Sequence, residues 1–255
     1  MNIGIITYTA GHLQAFLVAQ YALRLGSNVH FFAFPFKSTP RKFTPRFQDR
    51  PYPILSQSTQ DFSSAYTCKY TEIGGWSATN AHLFHTASAS CDVVATCISK
   101  IIPSFFLNKT PIVNAHPGYL PFNRGVDAFK RSVINTWPIG VSLHQIDAEI
   151  DAGRLIQSFP VPILPEDDLS DICQRSFLLE IELLARSPFL ISRAPLSSIS
   201  SSDIEYPLSH NLISLSHDHQ LASHFSTNRD LFMFHNSQYF LHGLSYLEDF
   251  SWACT

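Results

Sequence analysis

Apolar residues recur along this chain at two alternating spacings. A short apolar run at 3–7 reads as a first strand and turns through Thr9-Ala10-Gly11. Over 12–25, Leu13, Phe16, Leu17, Tyr21 and Leu25 follow helical spacing, and Gly26 ends the pattern. The run 28–34 reads as a second strand. The β-branched runs 92–98 and 111–115 suit buried parallel strands, with Pro103 opening a short helix between them. A helix over 125–136 would carry Val126, Phe129, Val133 and Ile134 on one face, and strands are expected at 139–144 and 155–163. Asp167-Asp168 supplies an acidic start for a helix reaching about 186, with Leu169, Ile172, Phe177, Leu179, Leu183 and Leu184 as its apolar set. Strands alternating with helices predict an α/β fold, a Rossmann-like mostly parallel sheet with helices on both faces. Ligands on such sheets bind beyond the C-terminal ends of strands.

Three stretches break the rhythm. Residues 35–61 have loop composition and hold the basic concentration of the chain, Lys37, Arg41, Lys42, Arg46 and Arg50. They read either as a solvated loop or as an anion-binding loop beside a site. Residues 191–205 are rich in Ser, Ala and Pro and read as a linker after a catalytic domain spanning 1–190. The segment 206–255 is a small extension in which 231–234 and 239–241 flank His235-Asn236-Ser237-Gln238 as a hairpin, so a β-containing tail is expected.

Composition narrows the function. The 255 residues are 45% hydrophobic and 15% charged, enough to bury a large core. A net charge of -3 gives no general attraction for nucleic acid or for an anionic membrane surface. The low charge leaves room for a self-association surface, so a homodimer is among the expectations. Five cysteines, scattered at 68, 91, 97, 173 and 254, have no zinc or redox spacing. Cys91 and Cys97, flanking an apolar run, read as core residues. His217 and His219, with His224 near, lack the companions that would single out a metal, and no metal site is expected. His82 and His85 fall on a predicted helix as surface or packing residues. The first residues have neither a basic n-region nor a long apolar h-region, and no stretch approaches the roughly 20 apolar residues of a spanning helix. A cytoplasmic protein is expected.

Two stretches carry chemistry. In Asn114-Ala115-His116-Pro117-Gly118, the amide and the imidazole lie two residues apart and face the same side of a strand end. In Gly140-Val141-Ser142-Leu143-His144, a strand runs into an acidic loop closed by Asp151-Ala152-Gly153. Together they offer an amide, an imidazole and a carboxylate on adjacent strand ends. That trio suits acyl transfer to an amine, because imidazolium and amide can stabilise an oxyanion while the carboxylate holds the imidazole charged. No cysteine or serine is placed as a nucleophile, so direct attack by the amine is the simpler route.

With Leu120-Pro121-Phe122-Asn123-Arg124-Gly125 between them, these motifs resemble the signature of the folate-dependent formyltransferases. The resemblance covers roughly 1–185 and is densest over 98–157. It implies catalytic roles for Asn114, His116 and Asp151, with N10-formyltetrahydrofolate as the formyl donor. The folate contacts would be Ser99, Lys100, Ile101 and Ile102, with Gln145, Ile146 and Asp147. Substrate contacts would be Gly11, His12, Gly118, Tyr119, Asn123 and Arg124. The first loop, Tyr8 to Ala15, is one residue shorter than the phosphate loop of the glycinamide ribonucleotide branch and lacks its Gly-Ser-Asn character. Gly118 stands where the tRNA branch has Ser, and the tail after Glu205 holds one arginine against four acids, which disfavours tRNA. The run 116–125 is most similar to the nucleotide-sugar N-formyltransferases. The implied activity is formylation of a primary amine on a nucleotide-linked amino sugar. The alternatives are an amino acid or other small amine as acceptor, a hydrolase releasing formate, and a non-catalytic folate-binding protein.

Overall fold

In the computed structural model, seven strands form one sheet in the order β5-β3-β1-β6-β7-β8-β9. The structure describes residues 1–37, 51, 53–107, 109–120, 122–193 and 220–243. The parallel part is built from β1 (Asn2–Tyr8), β3 (Asn28–Phe34), β5 (Lys69–Glu72), β6 (Val93–Thr96) and β7 (Ile112–His116). β8 (Gly140–Gln145) runs antiparallel to β7, and β9 (Leu155–Pro160) antiparallel to β8. The expected mostly parallel sheet is present, with one reversed strand inside it.

Strand periodicity sorts the side chains into two cores, because successive residues point to opposite faces. Ile3, Ile5, Phe31, Val93, Ala95, Val113, Val141 and Leu143 are buried on the face covered by α1 (Leu13–Arg24) and α5 (Leu169–Arg193). Ile6, Phe32, Phe34, Val94 and Ile112 pack on the other face, beneath α3 (Ala78–Ser88) and a single 3-10 turn at Ser104–Phe106. Helices therefore lie on both faces. Cys97 is buried and Cys91 half-buried beside the second core. On α3, His85 bonds the Phe106 carbonyl at 3.1 Å, a packing role.

Several elements differ from the sequence expectation. Residues 35–61 are not uniformly loop. A two-residue strand β2 (Gly11–His12) pairs antiparallel with β4 (Ile54–Leu55), and α2 (Thr59–Ala65) begins behind the cap Ser58, whose hydroxyl accepts from the Asp61 N–H. β5 was missed because its four residues are polar or half-buried. α4 spans Ala128–Asn135, so Val126 precedes it, 41% exposed, instead of joining its apolar face. α5 continues through Pro188 to Arg193, because Leu190 and Ile191 still pack on the core. The first residues of the expected linker are therefore helical, and the rest of it, with His217 and His219, lies outside the described residues. Of the basic stretch only Lys37 is described.

The expected hairpin is a helix. Residues on both sides of His235-Asn236-Ser237-Gln238 belong to α7 (Arg229–Gly243), preceded by α6 (Leu221–Thr227). Period-two alternation was the wrong reading, because the buried positions are Phe232 and Asn236, one helical turn apart. Phe232 stacks on Phe225 of α6, and both join the core of α1 and α5. Asn236 is 3% exposed and serves the sheet directly. Its amide donates to the carbonyls of Ile139 (2.7 Å) and Val161 (2.8 Å), and its Oδ1 accepts from Ile139 N at 3.1 Å. His224 contacts Thr136. No helix among the described residues is long and apolar enough to cross a membrane.

Asn236→Ala removes the side-chain partners of the Ile139 N–H and the Val161 carbonyl, while the Ile139 carbonyl keeps the Val161 N–H, and is expected to cost about 1–3 kcal/mol in a urea titration. Phe234→Ala, on the same helix but 58% exposed, should stay within about 0.5 kcal/mol of the parent protein.

Candidate active site

A cavity of about 610 Å³ opens beside β6, β7 and β8. Its floor is Asn114 to Pro117. One wall is the stretch 96–102 after β6, another is the loop 146–151 after β8, and His12 to Gln14 with Phe177 and Glu180 complete the rim. The expected folate contacts Ser99, Lys100, Ile101, Ile102, Ile146 and Asp147 all line it. Gln145 does not. Its N–H donates to Arg154 O, and its side of the chain faces a smaller cavity of about 170 Å³ bounded by Leu107 and Thr110.

Asn114, His116 and Asp151 meet in the cavity, as the spacing suggested, but not by lying on adjacent strand ends. β8 is reversed, so Asn114 pairs with His144 across the ladder and the loop after β8 doubles back to deliver Asp151. Gly153 permits that return: a Cβ there would stand 1.9 Å from the Gln145 carbonyl oxygen. Asp151 itself adopts φ +49°, a conformation non-glycine residues take at a cost and keep where the surroundings over-determine it.

The carboxylate lies between two imidazoles. Asp151 Oδ2 is 3.4 Å from His116 Nδ1 and accepts the Gly125 N–H at 2.9 Å, while Oδ1 is 3.5 Å from His144 Nε2. Burial opposes its ionisation. The charge of His116, the hydrogen bond and charge of His144 and the Gly125 N–H outweigh that, and hold the carboxyl well below the usual carboxylate range. At neutral pH Asp151 is an anion.

That anion fixes its neighbours. His116 is buried and its Nε2 donates to the Asn123 carbonyl at 2.7 Å, so its two ring nitrogens both face acceptors. A neutral ring satisfies one acceptor and an imidazolium satisfies both. His144 Nε2 faces the carboxylate, and the Asn114 amide nitrogen stands 3.4 Å from the same nitrogen. With the Nε2 proton directed at Asp151, the amide of Asn114 is left to donate into the cavity.

The expected substrate contacts separate into two groups. His12 lines the cavity, whereas Gly11, Gly118, Tyr119, Asn123 and Arg124 do not. They form the frame behind it. Gly118 lies against the His116 ring, where a Cβ would stand 2.6 Å from Nε2. Ser142 holds the Gly118 loop by donating to Gly118 O and accepting from Leu120 N. Tyr119 contacts Phe122, and Asn123 bonds Ala128 and Ser132. Arg124 donates to Ile150 O, and Gly11 sits in β2. The motif 118–125 is continuous in sequence, but the chain leaves the cavity after Pro117 and returns at Gly125.

Sequence reasoning missed His144, Gln14 and Glu180. Gln14 Nε2 is 3.2 Å from Glu180 Oε2, and Glu180 is 2% exposed, a buried carboxylate and amide at the rim able to bind hydroxyl or ammonium groups. The signal for Glu180 was an acid beside Leu179 within the apolar stripe of α5. For His144, it was a second imidazole seven residues before Asp151. Among the described residues no group of three or more His, Cys, Asp or Glu is arranged to hold a metal ion.

Similarity to known proteins agrees with this geometry. A curated relative, the dTDP-4-amino-4,6-dideoxyglucose formyltransferase of Mycobacterium tuberculosis, is 32% identical over 82 residues, 32% of this chain and 35% of that protein. The methionyl-tRNA formyltransferase of Dictyoglomus turgidum is 31% identical over 110 residues, 42% of this chain and 35% of that one. The matches thus span about a third of these relatives' length. A sugar N-formyltransferase from a Shewanella species shares the fold at TM-score 0.54 and 18% identity, covering 86% of this chain and 85% of that one. Glycinamide ribonucleotide transformylase 1 from Symbiobacterium toebii does so at TM-score 0.55 and 20% identity, covering 78% and 92%. The sequence model of the formyl transferase family matches residues 55–187, which contain Asn114, His116, His144 and Asp151, and the chain belongs to that family.

Proposed function

We propose that this protein transfers a formyl group from N10-formyltetrahydrofolate to a primary amine on a nucleotide-linked amino sugar. The observation that carries the reading is the Asp151 carboxylate held between His116 and His144, with the Asn114 amide beside it, on the floor of a cavity. The walls fit the donor. Ile98, Ile101, Ile102, Ile146 and Ile150 line the space, apolar surface of the kind that takes a flat heteroaromatic ring. The rim formed by His12, Gln14 and Glu180 is polar and suits a hydroxylated acceptor. A formyltransferase for a dTDP-4-amino sugar is among the curated relatives, and the net charge of -3 disfavours tRNA, the acceptor named for the other branch.

The chemistry follows from the charge states. The neutral amine attacks the formyl carbon, a C–N bond forms, and the carbonyl electrons move onto oxygen. The Asn114 N–H and the His116 Nδ1–H, which lies 3.4 Å from the carboxylate, stabilise the oxyanion. Asp151 is the acceptor for the amine proton. While His116 is cationic, Asp151 is a weak base, because that charge holds its pKa down. Once His116 gives its proton to the oxygen, the carboxylate loses its cationic neighbour and becomes the stronger acceptor for the proton on the attacking nitrogen. The hydroxyl then returns its proton to His116 as the C–O double bond re-forms, the bond to N10 breaks, and N10 takes the proton held by Asp151. Acid and base steps are coupled through one ion pair.

Purified protein with N10-formyltetrahydrofolate should formylate a dTDP-, UDP- or GDP-linked amino sugar, detected by mass spectrometry. Donor turnover that is independent of any amine would identify a hydrolase, and formylation of small amines alone would overturn the sugar assignment. Asp151→Asn should lower kcat by about 10²–10⁴-fold while donor binding persists in calorimetry.

The same carboxylate links stability to acid. Its folded pKa lies below the unfolded value of about 3.9, so its contribution is fully present above that pH and is lost as pH falls toward the folded value. Urea titrations at pH 5 and pH 3 should therefore show a smaller loss of stability in Asp151→Asn than in the parent protein.

A further inference from the structure

Behind the cavity, three consecutive residues touch the catalytic group or the loop that carries it. The Asn123 carbonyl accepts from His116 Nε2 at 2.7 Å, and the Gly125 N–H donates to Asp151 Oδ2 at 2.9 Å. Between them, Arg124 directs Nε (3.2 Å) and Nη2 (2.6 Å) onto one acceptor, the carbonyl of Ile150. Its side chain is 8% exposed and does not line the cavity. A buried guanidinium that spends two donors on a single backbone carbonyl is an expensive way to join two loops. The position of that carbonyl explains it, because Ile150 immediately precedes Asp151.

We propose that Arg124 is a positioning residue for Asp151, its guanidinium locking the Ile150 carbonyl so that the returning loop presents one carboxylate to both imidazoles. The inference rests on the reading of Asp151 as part of the catalytic group. A backbone fact supports it. Asp151, a non-glycine residue, is held at φ +49°, a conformation that ordinary loop relaxation would abandon, and the clasp fixes the residue immediately before it. The groups that face the carboxylate are His116 from β7, His144 from β8 and the Gly125 N–H. Arg124 bonds the Ile150 carbonyl and not the carboxylate, so it acts on Asp151 through the geometry of the loop. Lysine has the charge but not the planar fork, so it cannot replace the clasp.

The test uses Arg124→Lys and Arg124→Gln. The glutamine variant keeps an N–H donor and removes the buried charge, which covers the case in which the lysine variant does not fold, as judged by far-UV circular dichroism. The first readout is ¹⁵N-histidine NMR of the His116 ring from pH 5 to pH 9, assigned with His116→Asn. Both Arg124 variants should lose the His116 ring proton at lower pH than the parent protein, in the direction of Asp151→Asn. The second readout is steady-state kinetics, where kcat should fall by about 10²-fold with both KM values nearly unchanged. An unaltered imidazole titration overturns the proposal. So does a loss confined to KM, which would return Arg124 to direct substrate contact. If the parent protein formylates no amine, the proposed activity fails, while the NMR arm still decides whether Arg124 sets the ion pair.

Discussion

Burying a carboxylate is costly unless cations and hydrogen-bond donors compensate it, and much of this molecule's local structure serves that compensation at Asp151. One oxygen takes His116 and the Gly125 N–H, and the other faces His144. The loop that brings the residue in passes so close to β8 that Gly153 has no space for a side chain. Gly118 lies against the histidine ring, and the neighbouring residues are held by Ser142 and by Asn123. Each of these contacts looks like ordinary loop packing until the anion is considered. They then form a socket with a single electrostatic purpose.

The reversal of β8 makes the socket possible. A parallel strand in that position would carry His144 past the floor of the cavity at a different register. In the antiparallel ladder it pairs with Asn114, so the amide and the second imidazole share one level. The following loop must then turn back across the face to reach β9, and Asp151 lies on that return path. Strand direction, more than side-chain identity, converts two separate motifs into one site.

Much of this was legible in the residues. The alternation of strand and helix gave the architecture, and Asn114, His116 and Asp151 were identified from the chemistry they could perform. What was not legible depended on direction and closure. Spacing shows that 139–144 is a strand but not which way it runs, so His144 read as the end of an element and not as part of the site. The motif 118–125 is continuous in sequence, yet of its described residues only Gly125 lines the cavity. In the tail, apolar residues of α7 also fit a two-residue period, and the helix became evident only through the partners of Phe232 and Asn236. Long-range contacts override such local patterns.

Asn236 completes the hydrogen bonding of β8 and β9 where those strands begin and end, bonding Ile139 on one side and Val161 on the other. The helix α7 is thereby part of the sheet's own wiring, although it lies far along the chain from both strands. Asn114, His116 and Asp151 all precede in sequence the group that satisfies this part of their scaffold. The outer ends of β8 and β9 therefore reach their final order only when α7 has packed onto them. Any exchange of C-terminal segments between members of the family must carry a substitute for that one amide.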